Sequence, residues 1–315
     1  MVPKKLCELH VHIEGCVWEE HISDWWSKSK YLFPPISYYN MNRKTSFELF
    51  LEQLRFGYNF LNTLEAYKNV FKLYINNAVN QNIVYAEVQI NLALIKTWNI
   101  DLVQLLEEVN EINNNKIELR YIVDIPWQFS PSILDDIIEL NSLYHKIGVV
   151  GIGFGGDERL AKPYLLKDLR KKINESNFKI LCHVGETTSY EFSRKLVDEL
   201  NPDRIAHGLS LIDDIVLNTD DYPPLDICLS SNLKLNLIDS IENHPLKKII
   251  SSNIIYSLST DDPAIFHTTL KKEYELASLI DGFTNSISNI EKFWRKAAFD
   301  KEGIRRSTTA NNGYT

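Results

Sequence analysis

Residues 7–15 read CELHVHIEG, which places His10 and His12 one residue apart in a run of strand-forming residues. In an extended chain, side chains two apart share a face, so Glu8, His10, His12 and Glu14 point one way while Leu9, Val11 and Ile13 point the other. Two imidazoles on a polar face suit a divalent metal; on an exposed strand they would be solvated histidines and nothing more. Other runs end in similar residues: 149–155 runs into GFGGDE, 179–185 into HVGE, 204–208 into AHG, and 254–260 into STDDP. Leu181 and His183 share one face, as do Ser257, Ser259 and Asp261. Three imidazoles and a carboxylate, from His10, His12, His183 and Asp261, form a donor set for Zn²⁺ or another divalent transition metal. Such a metal's task would be to supply hydroxide near neutral pH. Asp261 and Asp262 are neighbours and cannot both face a site from a regular strand, so one would ligate metal while the other contacts substrate. Taken alone, the DD pair suits a helix cap or a turn equally well.

These residues converge only if the runs that carry them lie side by side. Eight short apolar runs recur, at 7–13, 83–90, 117–125, 149–155, 179–185, 204–208, 225–231 and 254–260. Stretches such as SFELFLEQLRFGYNFL and LVQLLEEVNEI lie between them, with apolar residues three and four apart as in amphipathic helices. Thr45 with Glu48, and Thr188 with Glu191, have the spacing of capping boxes at two helix starts. Eight strands alternating with helices over about 300 residues is the α/β pattern of a (β/α)₈ TIM barrel, with its site at the C-terminal ends of the strands. A doubly wound open sheet is the structural rival. No Pro/Gly/Ser linker divides the sequence and no internal repeat is visible. The expectation is a single domain over 1–300, with an irregular aromatic insertion near 24–45 and a polar C-terminal tail at 301–315. The run GVVGIGFGG lacks the GxGxxG spacing of a dinucleotide loop. It reads as a strand whose missing side chains leave space at the mouth and let a backbone N–H approach a flat ligand.

The 315 residues are 44% hydrophobic and 24% charged, ordinary values for a globular protein. A net charge of −8, from 42 acidic and 34 basic residues, with no dense Lys/Arg block, disfavours nucleic-acid and anionic-membrane partners. No apolar stretch approaches the roughly 18 residues of a membrane span, and the N-terminus does not read as a secretory signal. Four cysteines without a CxxC pair suggest buried reduced thiols, and the expected location is cytoplasmic.

The segments ELHVHIEG, GGDE, HVGE, RIAHG, CLSSN, HPL and SLSTDDPAIF, in that order, resemble the adenosine/AMP deaminase family of metal-dependent aminohydrolases. The resemblance implies an enzyme that hydrolytically deaminates a small-molecule 6-aminopurine to the 6-oxo purine and ammonia. It implies one Zn²⁺ held by His10, His12, His183 and Asp261. Glu186 would donate a proton to purine N1, and His207 would steer the attacking hydroxide. The Gly156 N–H would meet N3, and Asp262 would contact N7. Glu14 stands where the family's adenosine deaminases commonly carry an aspartate associated with the ribose hydroxyl, and where its adenine deaminases carry glutamate. The stretch STDDPAIFHTTLKKEY resembles the adenosine branch instead. Three readings follow: deamination of adenosine or a related nucleoside, deamination of free adenine, and a non-catalytic metal-binding barrel. His21, His145, His244 and His267 are given surface or capping roles.

Overall fold

The computed structural model describes residues 2–18, 44–128 and 130–309. Eight strands lie side by side in chain order: β1 (Leu6–His12), β2 (Ile83–Asn91), β3 (Glu118–Pro126), β4 (Val149–Gly155), β5 (Lys179–Val184), β6 (Arg204–His207), β7 (Leu225–Ile227) and β8 (Tyr256–Leu258). Each adjacent pair is parallel. The cylinder closes just beyond β8, where Val11 and Asp261 form a bridge. There the His12 N–H donates to the Asp261 carbonyl at 2.9 Å, and the Asp261 N–H donates to the His10 carbonyl at 3.1 Å. Closure makes this a (β/α)₈ barrel and not an open sheet, and it runs through three residues picked out for their chemistry.

Parallel strands need crossover connections, and helices supply them on the outside, so the strands are buried on both faces. Leu9, Val11, Val88 and Val123 join Tyr67 and Phe71 of the helix Leu64–Asn80 in the main core. Inside, Ile122, Leu181 and Ala206 form a small apolar layer. The polar face of β1 is therefore turned into the barrel interior, and Glu8 and His10 are fully buried.

Local expectations shift in a few places. Residues after Cys228 leave the strand and form the helix Leu229–Lys234, because the Glu273 carboxylate accepts the Ser230 N–H at 3.1 Å and satisfies a donor at the helix start. Both expected capping boxes begin one residue late: Ser46, not Thr45, accepts the Leu49 N–H, and the helix Tyr190–Leu200 follows Ser189. The segment expected as a polar tail from 301 starts with a helix, Lys301–Thr309. Its Gly303 N–H is held by the Asp300 carboxylate at 2.9 Å, and Ile304 enters the main core. Apart from Lys44 and Thr45, the aromatic insertion near 24–45 lies outside the described residues. Among the described residues no helix is long and apolar enough to cross a membrane.

Candidate active site

The three imidazoles meet at the C-terminal mouth. The Nε2 atoms of His10 and His12 are 3.4 Å apart, those of His12 and His183 3.1 Å, and those of His183 and His10 3.0 Å. Asp261 Oδ1 lies 3.3 Å from His10 Nε2 and 3.5 Å from His12 Nε2. His183 Nδ1 is 2.8 Å from the Phe154 carbonyl, which only accepts, so the ring proton sits on Nδ1 and Nε2 offers a lone pair. Donors held about 2.0–2.1 Å from one divalent ion at tetrahedral angles lie about 3.3 Å from each other, and the observed separations bracket that value. Burial pulls His10 down to about 3 and holds His12 and His183 below their usual range, so all three rings are neutral ligands. Burial opposes ionisation of Asp261, yet its hydrogen bond to His10 and the nearby imidazoles hold its carboxyl well below the usual range. Three neutral nitrogens and one carboxylate in a buried pocket fit a divalent metal ion.

Glu186 comes to this cluster on a turn wrapped around Glu158. The Gly185 N–H donates to Glu158 Oε2 at 2.7 Å, and the Thr187 N–H, Thr188 N–H and Thr187 hydroxyl donate to Oε1 at 2.5, 3.0 and 3.2 Å. Burial pushes the Glu186 carboxyl well above the usual carboxylate range, and the charges of Asp261 and Glu158 push the same way. The shift favours the protonated carboxylic acid, the state a proton donor needs. His207 Nε2 lies 3.6 Å from Glu186 Oε1 and 3.9 Å from Asp261 Oδ2. Burial draws this imidazole down to about 3, so it too is neutral.

Strand alternation fails as a guide at Asp261 and Asp262 because the backbone does not stay extended. Asp261 has φ of +63°, in the left-handed region, and both carboxylates line the same pocket. Gly15 makes the approach feasible, since a Cβ there would lie 2.0 Å from Asp262 Oδ1. Glu14 is likewise off the strand, in the 3₁₀ turn Ile13–Cys16. Its Oε1 accepts the Tyr67 hydroxyl and the Asn91 N–H, each at 3.0 Å, and burial raises its carboxyl to about 7. The pocket has a volume of 260 Å³ and includes Gly156; Phe47, Leu51, Leu54 and Tyr58 of the helix Phe47–Tyr58 form an apolar wall.

Asp124, at the end of β3, is a pocket residue that strand patterning passes over. The glycines of β4 make room for it: a Cβ on Gly153 would lie 2.5 Å from Asp124 Oδ1, and one on Gly155 would crowd both His183 Nδ1 and Asp124 Oδ2. The expected open space at the mouth is thus partly filled by these two side chains. Burial raises Asp124 to about 8, and its Oδ1 has no hydrogen-bond partner among the described residues. A lone carboxylate closing the apolar run YIVDI is the signal that could have found it. Glu158 and Asn232 stand inside quoted motifs, but their contacts with the turn 185–188 and with His207 depend on neighbours far away in sequence.

A family model described as adenosine deaminase matches residues 3–307. An adenosine deaminase of Photorhabdus laumondii is 26% identical over 296 residues, spanning 89% of this chain and 88% of its own length. An adenine deaminase of Rhizobium rhizogenes is 31% identical over 198 residues, 62% of each chain. Among solved structures, Arabidopsis ADAL complexed with IMP has the same fold, with a TM-score of 0.83 at 18% identity over 96% of this chain and 95% of that one.

Proposed function

The chain belongs to the adenosine deaminase family, and from that premise we propose that it hydrolyses the 6-amino group of adenosine or a related nucleoside, releasing the 6-oxo purine and ammonia. One observation carries this reading: the four-donor cluster shares a buried pocket with the Glu186 carboxyl, which burial raises, and the His207 imidazole, which burial lowers.

His10, His12, His183 and Asp261 would hold one Zn²⁺, which when bound supplies the Lewis acidity that makes water a nucleophile near neutral pH. Glu186 delivers its proton to purine N1 and so draws electron density away from C6. His207 Nε2 faces the side from which oxygen arrives and orients it. The Gly156 N–H meets N3 and Asp262 meets N7, holding the ring in one plane so that C6 is presented at bonding distance. The C6–O bond forms and the C6–N bond breaks; of the two protons of the water consumed, one restores Glu186 and the other leaves with the exocyclic nitrogen as ammonia. Four cysteines, all free and buried, suit a reducing cytoplasm.

The nucleoside reading is supported by the pocket's extension past the acids to Leu51, Leu54, Arg55 and Thr97. Glu14 Oε1 is also engaged by the Tyr67 hydroxyl and the Asn91 N–H. Free adenine is the second reading, favoured by the presence of the Glu14 carboxyl in the pocket lining. The test is ammonia release by zinc-loaded protein offered adenosine, 2′-deoxyadenosine, adenine and AMP, beside a chelator-treated control. Chelator-sensitive turnover with adenosine preferred is expected; no turnover on any of the four, with zinc bound, overturns the proposal. On the nucleoside reading, Glu14→Asp keeps the adenosine-to-adenine ratio within roughly threefold; a rise of about tenfold or more favours free adenine as the native substrate.

A further inference from the structure

His244, the histidine of HPL, is buried and lies outside the pocket lining. The Leu246 backbone N–H donates to its Nδ1 at 3.0 Å. A backbone N–H only donates, so Nδ1 is the acceptor nitrogen and a neutral His244 carries its proton on Nε2. Burial pulls His244 down to about 4, which keeps the ring neutral. Its Nε2 lies 3.2 Å from Asn232 Oδ1, which accepts a hydrogen bond from that N–H. The other end of the amide, Nδ2, only donates, and it lies 3.3 Å from His207 Nδ1. The reversed amide would set an N–H of Asn232 against the N–H of His244, so the backbone donor at Leu246 decides which way the amide faces. The polarity passes through three side chains and ends with a proton on His207 Nε2. That nitrogen faces Glu186 Oε1 at 3.6 Å and Asp261 Oδ2 at 3.9 Å.

We propose that Asn232 and His244 are positioning residues that lock His207 in its Nε2–H tautomer, so that His207 meets the incoming oxygen as a hydrogen-bond donor and not as a base. The proposal rests on reading the site as a deaminase. A donor aimed at the oxygen stabilises the negative charge that remains there as it adds to C6, whereas a bare Nε2 would repel it. Fixed supports on both sides keep the lock rigid. Asn232 is held on the helix Leu229–Lys234, with its N–H donating to the Cys228 carbonyl at 3.0 Å. His244 precedes the helix Leu246–Ile250, on the connection between β7 and β8.

The decisive measurement is a long-range ¹H–¹⁵N spectrum of the zinc-loaded full chain carrying ¹⁵N-histidine, with the His207 signals identified by their loss in His207→Gln. The expected pattern is a protonated Nε2 and a bare Nδ1. Asn232→Asp is nearly isosteric but replaces the donor with an acceptor. It should swap that pattern and lower kcat roughly 100-fold or more, with KM within about threefold and zinc content unchanged. His244→Ala should lower kcat by roughly tenfold. His244→Gln can still accept from Leu246 and donate to Asn232, and should restore most of that loss; this pair decides the matter if Asn232→Asp does not fold. A wild-type His207 protonated on Nδ1, or an Asn232→Asp enzyme that swaps tautomer yet keeps its kcat, overturns the proposal, as does a His244→Ala enzyme with unchanged kcat. Absence of turnover on every 6-aminopurine would defeat the deaminase reading instead, and the spectrum would still decide the tautomer.

Discussion

Strand β6 contributes to two buried polar clusters, Arg204 at its start and His207 at its end, and the two are organised in opposite ways. Around Arg204 every charge has a partner. Its guanidinium donates to Asp226 Oδ2 at 2.6 Å, Glu87 Oε2 at 2.7 Å, the Leu9 carbonyl at 2.7 Å and the Ala297 carbonyl at 3.1 Å. Glu87 Oε1 accepts the Tyr85 hydroxyl and the Phe299 N–H, both at 2.6 Å, and Asp226 Oδ1 accepts the Ser257 hydroxyl at 2.6 Å. Around His207 there are mostly acceptors: three imidazoles meet nitrogen to nitrogen, and Asp124 Oδ1 and Asp262 Oδ1 have no partner among the described residues. Burial raises the Glu186, Asp262 and Asp124 carboxyls there, whereas the imidazoles around Asp261 hold its carboxyl low. The self-satisfied cluster ties β2, β6, β7 and the C-terminal segment together. That rigidity lets the other cluster hold acids and lone pairs in states that water would not permit.

If the upper cluster is built for chemistry, removing its acid should cost activity and not stability. Glu186→Gln is expected to lower turnover by roughly 10³-fold or more while leaving zinc content and Tm unchanged. Loss of zinc or of fold in that variant would make Glu186 a structural member of the site. The lower cluster should respond the other way. Arg204→Met strands two carboxylates without their cation and should reduce the unfolding free energy by about 3–5 kcal/mol, read from urea denaturation. A change below about 1 kcal/mol would remove the contrast between the clusters.

A further expected effect is in the pH dependence of stability. Burial raises the Asp124 carboxyl to about 8 in the folded chain, against about 4 when unfolded, so between these values the folded state is expected to keep a proton that the unfolded state releases. Its contribution to stability is therefore fully present below about pH 4 and lost as pH rises through 8. Asparagine stays neutral throughout. With metal removed, Tm of Asp124→Asn relative to wild type should rise from pH 4 to pH 8 by roughly 2 °C or more. A flat or falling difference would mean that Asp124 is ionised in the fold and belongs with the lower cluster in kind.

The site is legible in sequence wherever the governing geometry is local. His10 and His12 share a face through strand alternation, and His183, Glu186 and His207 stand at the ends of apolar runs. Alternation gives the wrong answer for Asp261 and Asp262 because a left-handed residue breaks it, and neither residue is a glycine that would announce the break. The glycines of β4 read as empty space until Asp124 enters from the neighbouring strand. His244 reads as a bland histidine because its significance lies in Asn232 and a single backbone N–H.

The sequence by itself determined the identity of the chemical groups, the eightfold alternation of strand and helix, and the clustering of polar residues at strand ends. Periods of two and 3.6 residues are properties of the local backbone and need no partner to be read. Only the tertiary structure decided which groups meet, which stay protonated and which way each hydrogen bond runs. Those outcomes depend on closing β8 onto β1 and on excluding water from the mouth, and both are set by contacts between residues far apart in the chain.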